Sequence, residues 1–206
     1  MRMPSQFYAI IDPAGGHDPV ELAQLLLGAG VRIAQLRLKD TPGRDFLMAA
    51  RAIAQQCRAR GALFIVNDRV DIAILAGADG VHLGQADLPI AAARELIGPD
   101  KIIGISTHNT ATAREAEAGG ADYIGFGPMY PGGLKNIQTG QGLDNLRAVR
   151  AAVKIPIVAI GGITEASMPE VLAAGADAAA IITDVVNAPD VAAKVRALLA
   201  IGNPKR

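Results

Sequence analysis

AGADGVHLG, residues 76–84, ends an apolar helical stretch at Gly77, passes through Ala78 and Asp79, and opens a strand-like run at Gly80. Glycine suits the left-handed position that terminates a helix. The junction recurs as GGADY at 119–123 and AGADA at 174–178, each time with Gly-Ala-Asp just ahead of a strand-like run. A junction repeated in this way marks a βα unit. Working outward, apolar runs of strand character occupy FYAIID (7–12), IAQLRLK (33–39), LFIVN (63–67), GVHLG (80–84), KIIGIST (101–107), YIGFGP (123–128), IPIVAIGG (155–162) and AAAIITDV (178–185). Stretches of helical periodicity lie between them, among them VELAQLLLGAG, RDFLMAARAIAQQCRARG, TAREAEAGG, LDNLRAVRAAV and MPEVLAAG. Eight such units in 206 residues sit near the lower size of the (β/α)8 barrel, about 200 residues. The expectation is an α/β protein, a (β/α)8 TIM barrel in a single domain over 1–206. An open doubly wound sheet is the alternative, but IIDPAGGHDPVEL lacks the G-x-G-x-x-G turn that should open its first helix.

Composition narrows the partners. Lysine plus arginine and aspartate plus glutamate balance at 20 each, so the chain has neither the basic footprint of a nucleic-acid binder nor that of a membrane-surface protein. Small molecules are the expected partners, and a homo-oligomer is compatible with the sequence. Cys57 is the only cysteine, which leaves no disulfide framework or thiolate metal site within one chain and fits a reducing, cytoplasmic setting. The N-terminal MRMPSQFYAIID has no apolar signal core, and no uncharged apolar run reaches about 18 residues.

AQLRLKD at 34–40, written as a strand, sets Gln35, Arg37 and Lys39 on one face and Ala34, Leu36 and Leu38 on the other. In a barrel the first face looks inward, where charges are almost never fully buried unless paired or used. Barrel active sites gather at the C-terminal ends of strands, and those ends are polar here. Arg37 and Lys39 close strand two, and Asn67 and Asp68 close strand three. Gln85 and Asp87 follow strand four, while Ser106, Thr107 and His108 end strand five. Lys135 lies in the long loop after strand six, Gly161-Gly162 follow strand seven, and Ile182-Thr183 end strand eight.

Gly161, Gly162 and Thr183 match the usual barrel phosphate site, formed by backbone N–H groups in the loops after strands seven and eight. Arg37 and Lys39 suit a second anionic group, because guanidinium binds phosphate bidentately and ammonium as a point charge. Asp68 and Asp87 suit Mg²⁺, which favours one or two carboxylates plus waters and substrate phosphates; Mn²⁺ would suit the same oxygens. Each has a structural alternative. Asp68 and Asp87 stand where a helix cap would stand, Ser106 and Thr107 could bond locally before the fifth helix, Lys135 could be a solvated loop residue, and the glycine pair a tight turn. His82, on a strand, reads as a hydrogen-bonded core histidine.

The motifs QLRLK, VNDRVDIA, GADGVHLGQAD, GISTH, GADYIGFGPMYP, PIVAIGGI and GADAAAIIT together resemble the thiamine-phosphate synthase family over nearly the whole chain. The resemblance implies a (β/α)8 barrel that joins 4-amino-2-methyl-5-hydroxymethylpyrimidine diphosphate to 4-methyl-5-(2-hydroxyethyl)thiazole phosphate and releases pyrophosphate. It implies that Gln35, Arg37, Lys39 and Asn67 contact the pyrimidine diphosphate, that Asp68 and Asp87 are Mg²⁺ ligands, and that Ser106 and Lys135 touch the pyrophosphate. Gly161, Gly162, Ile182 and Thr183 would hold the thiazole phosphate. Where the family pattern reads Pro-Thr-x-Thr-Lys after strand six, this chain has Pro131-Gly132-Gly133-Leu134-Lys135. The lysine is kept and both threonine hydroxyls are lost. Two rivals follow: a thiazole tautomerase-like enzyme on the same barrel with His108 as acid or base, and a catalytically silent barrel that binds thiamine precursors.

Overall fold

The computed structural model describes residues 1–132 and 138–202. Its first half runs β1 (Phe7–Ile11), α1 (Pro19–Gly28), β2 (Ile33–Leu36), α2 (Gly43–Arg60), β3 (Leu63–Asn67), α3 (Val70–Ala76), β4 (Gly80–Leu83) and α4 (Ile90–Ile97). The second half runs β5 (Ile102–Thr107), α5 (Thr110–Ala118), β6 (Tyr123–Phe126), α6 (Gly142–Ala152), β7 (Ile157–Ile160), α7 (Met168–Ala173) and β8 (Ala178–Ile181). A short α8 (Thr183–Val186) and the helix α9 (Val191–Gly202) complete it. The strands form a closed barrel in chain order, and β8 pairs with β1. Every pairing is parallel. The expected (β/α)8 architecture is what the chain adopts. Among the described residues no helix is long and apolar enough to cross a membrane.

The period-2 alternation of the strands builds two cores. Phe7, Ala34, Leu36, Phe64, Val66, Val81 and Phe126 point outward into the layer shared with the helices. Tyr8, Ile10, Ile33, Ile65, Tyr123, Val158, Ala178 and Ala180 fill the barrel interior. Helix α2 shows the matching 3.6 period, burying Phe46, Ala50, Ile53, Ala54 and Cys57 in one stripe.

The three Gly-Ala-Asp junctions share one geometry. Gly77, Gly120 and Gly175 take positive φ of 67°, 88° and 111°, and the alanine N–H that follows each reaches back five residues to close the helix end. The aspartate then pairs reciprocally with the preceding strand. Asp79 N–H donates to the Phe64 carbonyl at 2.8 Å while its Oδ2 accepts the Phe64 N–H at 2.8 Å. Asp122 treats Ile103 in the same way, and Asp177 treats Ile157 in the same way. These strand N–H groups face a neighbour that has not yet begun, so the carboxylate stands in for the missing ladder partner. Arg94 and Arg150 pair with Asp122 and Asp177, each at 2.8 Å.

Several strand ends differ from the sequence expectation. Strand two, expected over 33–39, stops at Leu36, because β1 stops at Ile11 and Arg37 N–H makes the last bond to the Ile11 carbonyl. Arg37 and Lys39 therefore lie above the strand, at the rim. Leu38 packs against the outer core as expected. Strand eight, expected to 185, stops at Ile181, and TDVV coils into α8 so that Val185 and Val186 can be buried.

Replacing Asp122 with alanine strands the Ile103 N–H and removes a partner of Arg94. A loss of about 1–3 kcal/mol in urea unfolding is expected; an unchanged midpoint would mean the carboxylate does not serve the ladder.

Candidate functional site

At the C-terminal ends of the strands the barrel opens into a cavity of about 540 Å³. Its walls include Gln35, Arg37, Lys39, Asn67, Asp68 and Asp87 on one side and Ser106, Gly161 and Ile182 on the other. A smaller recess beside it is lined by Gly161, Gly162, Ile182 and Thr183. Every described residue expected at the site thus lines one or both. Lys135, with Gly133 and Leu134 of the altered loop, lies outside the described residues.

The rim carries the charge. Arg37 Nη1 donates to Asp12 Oδ2 at 2.5 Å; Asp12, next after β1, is only 4% exposed and also accepts the Ala14 N–H. The guanidinium is therefore held in place by a carboxylate 25 residues earlier in the chain, a partner that no local motif marks. Lys39 pairs with Asp68. Asp68 takes φ of 63°, a left-handed conformation in which a non-glycine residue is strained. It does not cap α3, whose cap position is Arg69 with no side-chain bond. Asp87 does not cap α4 either: that position is Pro89, and Asp87 Oδ2 instead accepts the Gly84 N–H at 2.7 Å. Burial pushes the Asp87 carboxyl up and the charge of Asp68 adds to this, against the lowering effects of the Gly84 N–H and Lys39. A carboxylate raised in part by the charge of a neighbouring carboxylate belongs to a donor set that a divalent cation relieves. No group of three or more potential ligand side chains is present among the described residues; Asp68 and Asp87, which line the cavity, are the residues that could hold a divalent cation, since Mg²⁺ takes one or two carboxylates plus waters and substrate phosphates.

The floor is polar but uncharged. Gln35 Nε2 donates to Tyr8 OH at 3.0 Å, and the Tyr8 and Tyr123 hydroxyls meet at 2.8 Å. Tyr123 OH is 2.9 Å from His82 Nδ1, and His82 Nε2 is 3.0 Å from Ser106 Oγ. Burial pushes both phenols above their usual pKa and pulls His82 from 6.5 down to about 4, against a smaller opposing effect of Asp68. His82 is a hydrogen-bonded core histidine, as expected, and it also lines the cavity. The two tyrosines carry no motif of their own; their inward positions in the strand alternation are the local signal for them. A further signal was Gly104, where a Cβ would fall 2.1 Å from the Tyr123 ring.

Ser106 and Thr107 do not cap α5, which is capped by Asn109 and Thr112; Thr107 Oγ1 donates to the Gly125 carbonyl. His108 Nδ1 meets the Gly127 carbonyl at 2.7 Å. Gly161 and Gly162 take φ of 98° and 69°. A Cβ on Gly161 would lie 2.7 Å from Pro128 Cα, so the pair combines a left-handed turn with a close backbone approach that only glycine allows.

The thiamine monophosphate synthase family model matches residues 7–185. A thiamine-phosphate synthase of Moorella thermoacetica is 49% identical over 185 residues, covering 89% of this chain and 88% of the relative. One of Methanoculleus marisnigri is 50% identical over 184 residues, covering 89% and 87%. The solved thiamine phosphate pyrophosphorylase from Pyrococcus furiosus superposes with a TM-score of 0.88 at 39% identity, over 95% of each chain.

The depressed His82 pKa predicts a pH effect on stability. The unfolded chain takes up the proton first, so the stability of the neutral ring is present above about 6.5 and is lost as pH falls through about 4. Across that window the wild type should lose stability more steeply than His82→Asn; equal slopes in urea unfolding would contradict a buried neutral histidine.

Proposed function

The chain belongs to the thiamine monophosphate synthase family, and on that premise we propose how this transferase forms thiamine phosphate. The substrates are 4-amino-2-methyl-5-hydroxymethylpyrimidine diphosphate and 4-methyl-5-(2-hydroxyethyl)thiazole phosphate. The bond between the pyrimidine methylene carbon and the diphosphate oxygen breaks, its electron pair leaving with the diphosphate. The aminopyrimidine ring stabilises the resulting cation, and the thiazole nitrogen lone pair closes the new C–N bond. Such a reaction needs neutralisation of the leaving group and alignment of two reactants rather than a general base.

The observation that carries this reading is that Arg37, Lys39, Asp68 and Asp87 line one cavity whose floor is neutral, with Lys39 paired to Asp68. Arg37, Lys39, Ser106 and Lys135 bind the departing diphosphate, while Gln35 and Asn67 orient the pyrimidine end. Asp68 and Asp87 hold Mg²⁺, which supplies further neutralisation of the diphosphate charge when bound. Gly161, Gly162, Ile182 and Thr183 receive the thiazole phosphate through backbone N–H groups and the threonine hydroxyl. A volume of about 540 Å³ lies within the range of small-molecule sites, about 300–1,000 Å³. A floor without a charged base is consistent with a cationic intermediate that must not be quenched by an adjacent nucleophile.

Incubating the purified protein with both substrates and Mg²⁺ should yield thiamine phosphate and pyrophosphate in equal amounts. Asp87→Ala should abolish both. Thiazole isomerisation without pyrophosphate release would replace this reading with the tautomerase, and saturable binding without turnover would replace it with the silent binder. Asp68→Asn keeps a residue that tolerates the left-handed backbone. It should lower kcat/KM by about 100-fold or more while leaving the unfolding free energy within about 0.5 kcal/mol of wild type.

A further inference from the structure

The hydrogen bonds on the cavity floor form a chain that can run in either of two directions, and the surroundings decide between them. Tyr8 OH already accepts the Gln35 amide hydrogen. In one direction Tyr8 then donates to Tyr123, Tyr123 donates to His82 Nδ1, and the His82 Nε2–H donates to Ser106 Oγ. In the other, Ser106 donates to Nε2, Nδ1–H donates to Tyr123, and Tyr123 donates to Tyr8. The second direction gives the Tyr8 oxygen two donors and leaves its own hydrogen without an acceptor. Tyr8 is 1% exposed and packs among Ile10, Ile33, Ile65 and Ala180, where an orphaned donor costs about 1–3 kcal/mol. The first direction gives the Tyr8, Tyr123 and His82 hydrogens each an acceptor. The one hydrogen left over is on Ser106, which lines the cavity wall and whose own carbonyl is held by Gln85 Nε2 at 2.6 Å.

We propose that Tyr8, Tyr123 and His82 are positioning residues that fix His82 as the Nε2–H tautomer and thereby make the Ser106 hydroxyl a committed donor into the cavity, for an anionic phosphate oxygen. The inference rests on the reading of Ser106 as a diphosphate contact and adds what makes it one. With the chain reversed, Ser106 would present only lone pairs to the cavity and repel an anion. The chain spans β2, β1, β6, β4 and β5, so the donor at the wall is set from the opposite side of the barrel. Gly104 and Gly125 make it possible, because side chains there would strike the Tyr123 ring and His82.

The wild-type tautomer can be read directly. With ¹⁵N-labelled histidine, NMR couplings separate the protonated from the bare ring nitrogen, and His82→Asn assigns its signal among the three histidines. Nε2–H is expected; an Nδ1–H tautomer or an imidazolium at neutral pH overturns the proposal. Binding of inorganic pyrophosphate with Mg²⁺, followed by calorimetry, provides the second arm. Ser106→Ala should weaken it roughly ten- to a hundredfold, the loss of one charge-assisted donor. Tyr123→Phe should weaken it severalfold in the wild-type background and have no further effect in Ser106→Ala. Equal losses in both backgrounds would show that Tyr123 does not act through Ser106, and unchanged binding in Ser106→Ala would equally sink the idea. Thiamine phosphate formation, assayed in the same preparations, reports separately on the proposed reaction.

Discussion

The phenol oxygens of Tyr8 and Tyr123 meet 2.8 Å apart inside the barrel, and what lies above them depends on that meeting. An eight-stranded barrel has an interior just wide enough to be filled by side chains. Here two aromatic rings from β1 and β6 fill the middle. The positions beside them are correspondingly small: Gly104 and Gly125 on β5 and β6, Ala178 and Ala180 on β8. Above the rings the barrel opens into the cavity. Because the rings carry hydroxyls, the floor is polar; because those hydroxyls bond one another, Gln35 and His82, it is neutral.

The rim obeys a different constraint. Its charges stand beyond the last ladder bonds, where each must find a partner or remain in water. Arg37 leans on Asp12, Lys39 on Asp68, and Asp87 on the Gly84 amide. Asp68 is held in a left-handed backbone conformation that its side chain does nothing to relieve by capping. The opposite end of the barrel shows the contrast, since the aspartates of the Gly-Ala-Asp junctions are fully occupied in completing strand ladders.

Much of this was legible in the chain. The Gly-Ala-Asp junctions announced the repeat, since a helix stop and a strand start within five residues are set by local backbone preferences. The polar strand ends announced the site for a similar reason: a strand-two face bearing Gln35, Arg37 and Lys39 has few uses in a buried sheet. The lengths of strands two and eight are not legible in the chain, because a strand ends where its neighbour's ladder ends and apolar residues beyond that point continue to read as strand. Asp12 and the two tyrosines went unremarked because their meaning lies in partners 25 and 115 residues away.

The sequence by itself determined the number and order of the βα units, the inward and outward faces of each strand, and the residue types available at the strand ends. All of these follow from periodicity and turn chemistry acting over a few residues. Closure of the barrel decided the rest. It set Arg37 against Asp12, brought Asp68 near enough to Asp87 to raise its pKa, and joined Gln35, Tyr8, Tyr123, His82 and Ser106 into one chain. These groups come from different strands, and only the register and curvature of the closed sheet bring them within hydrogen-bonding distance.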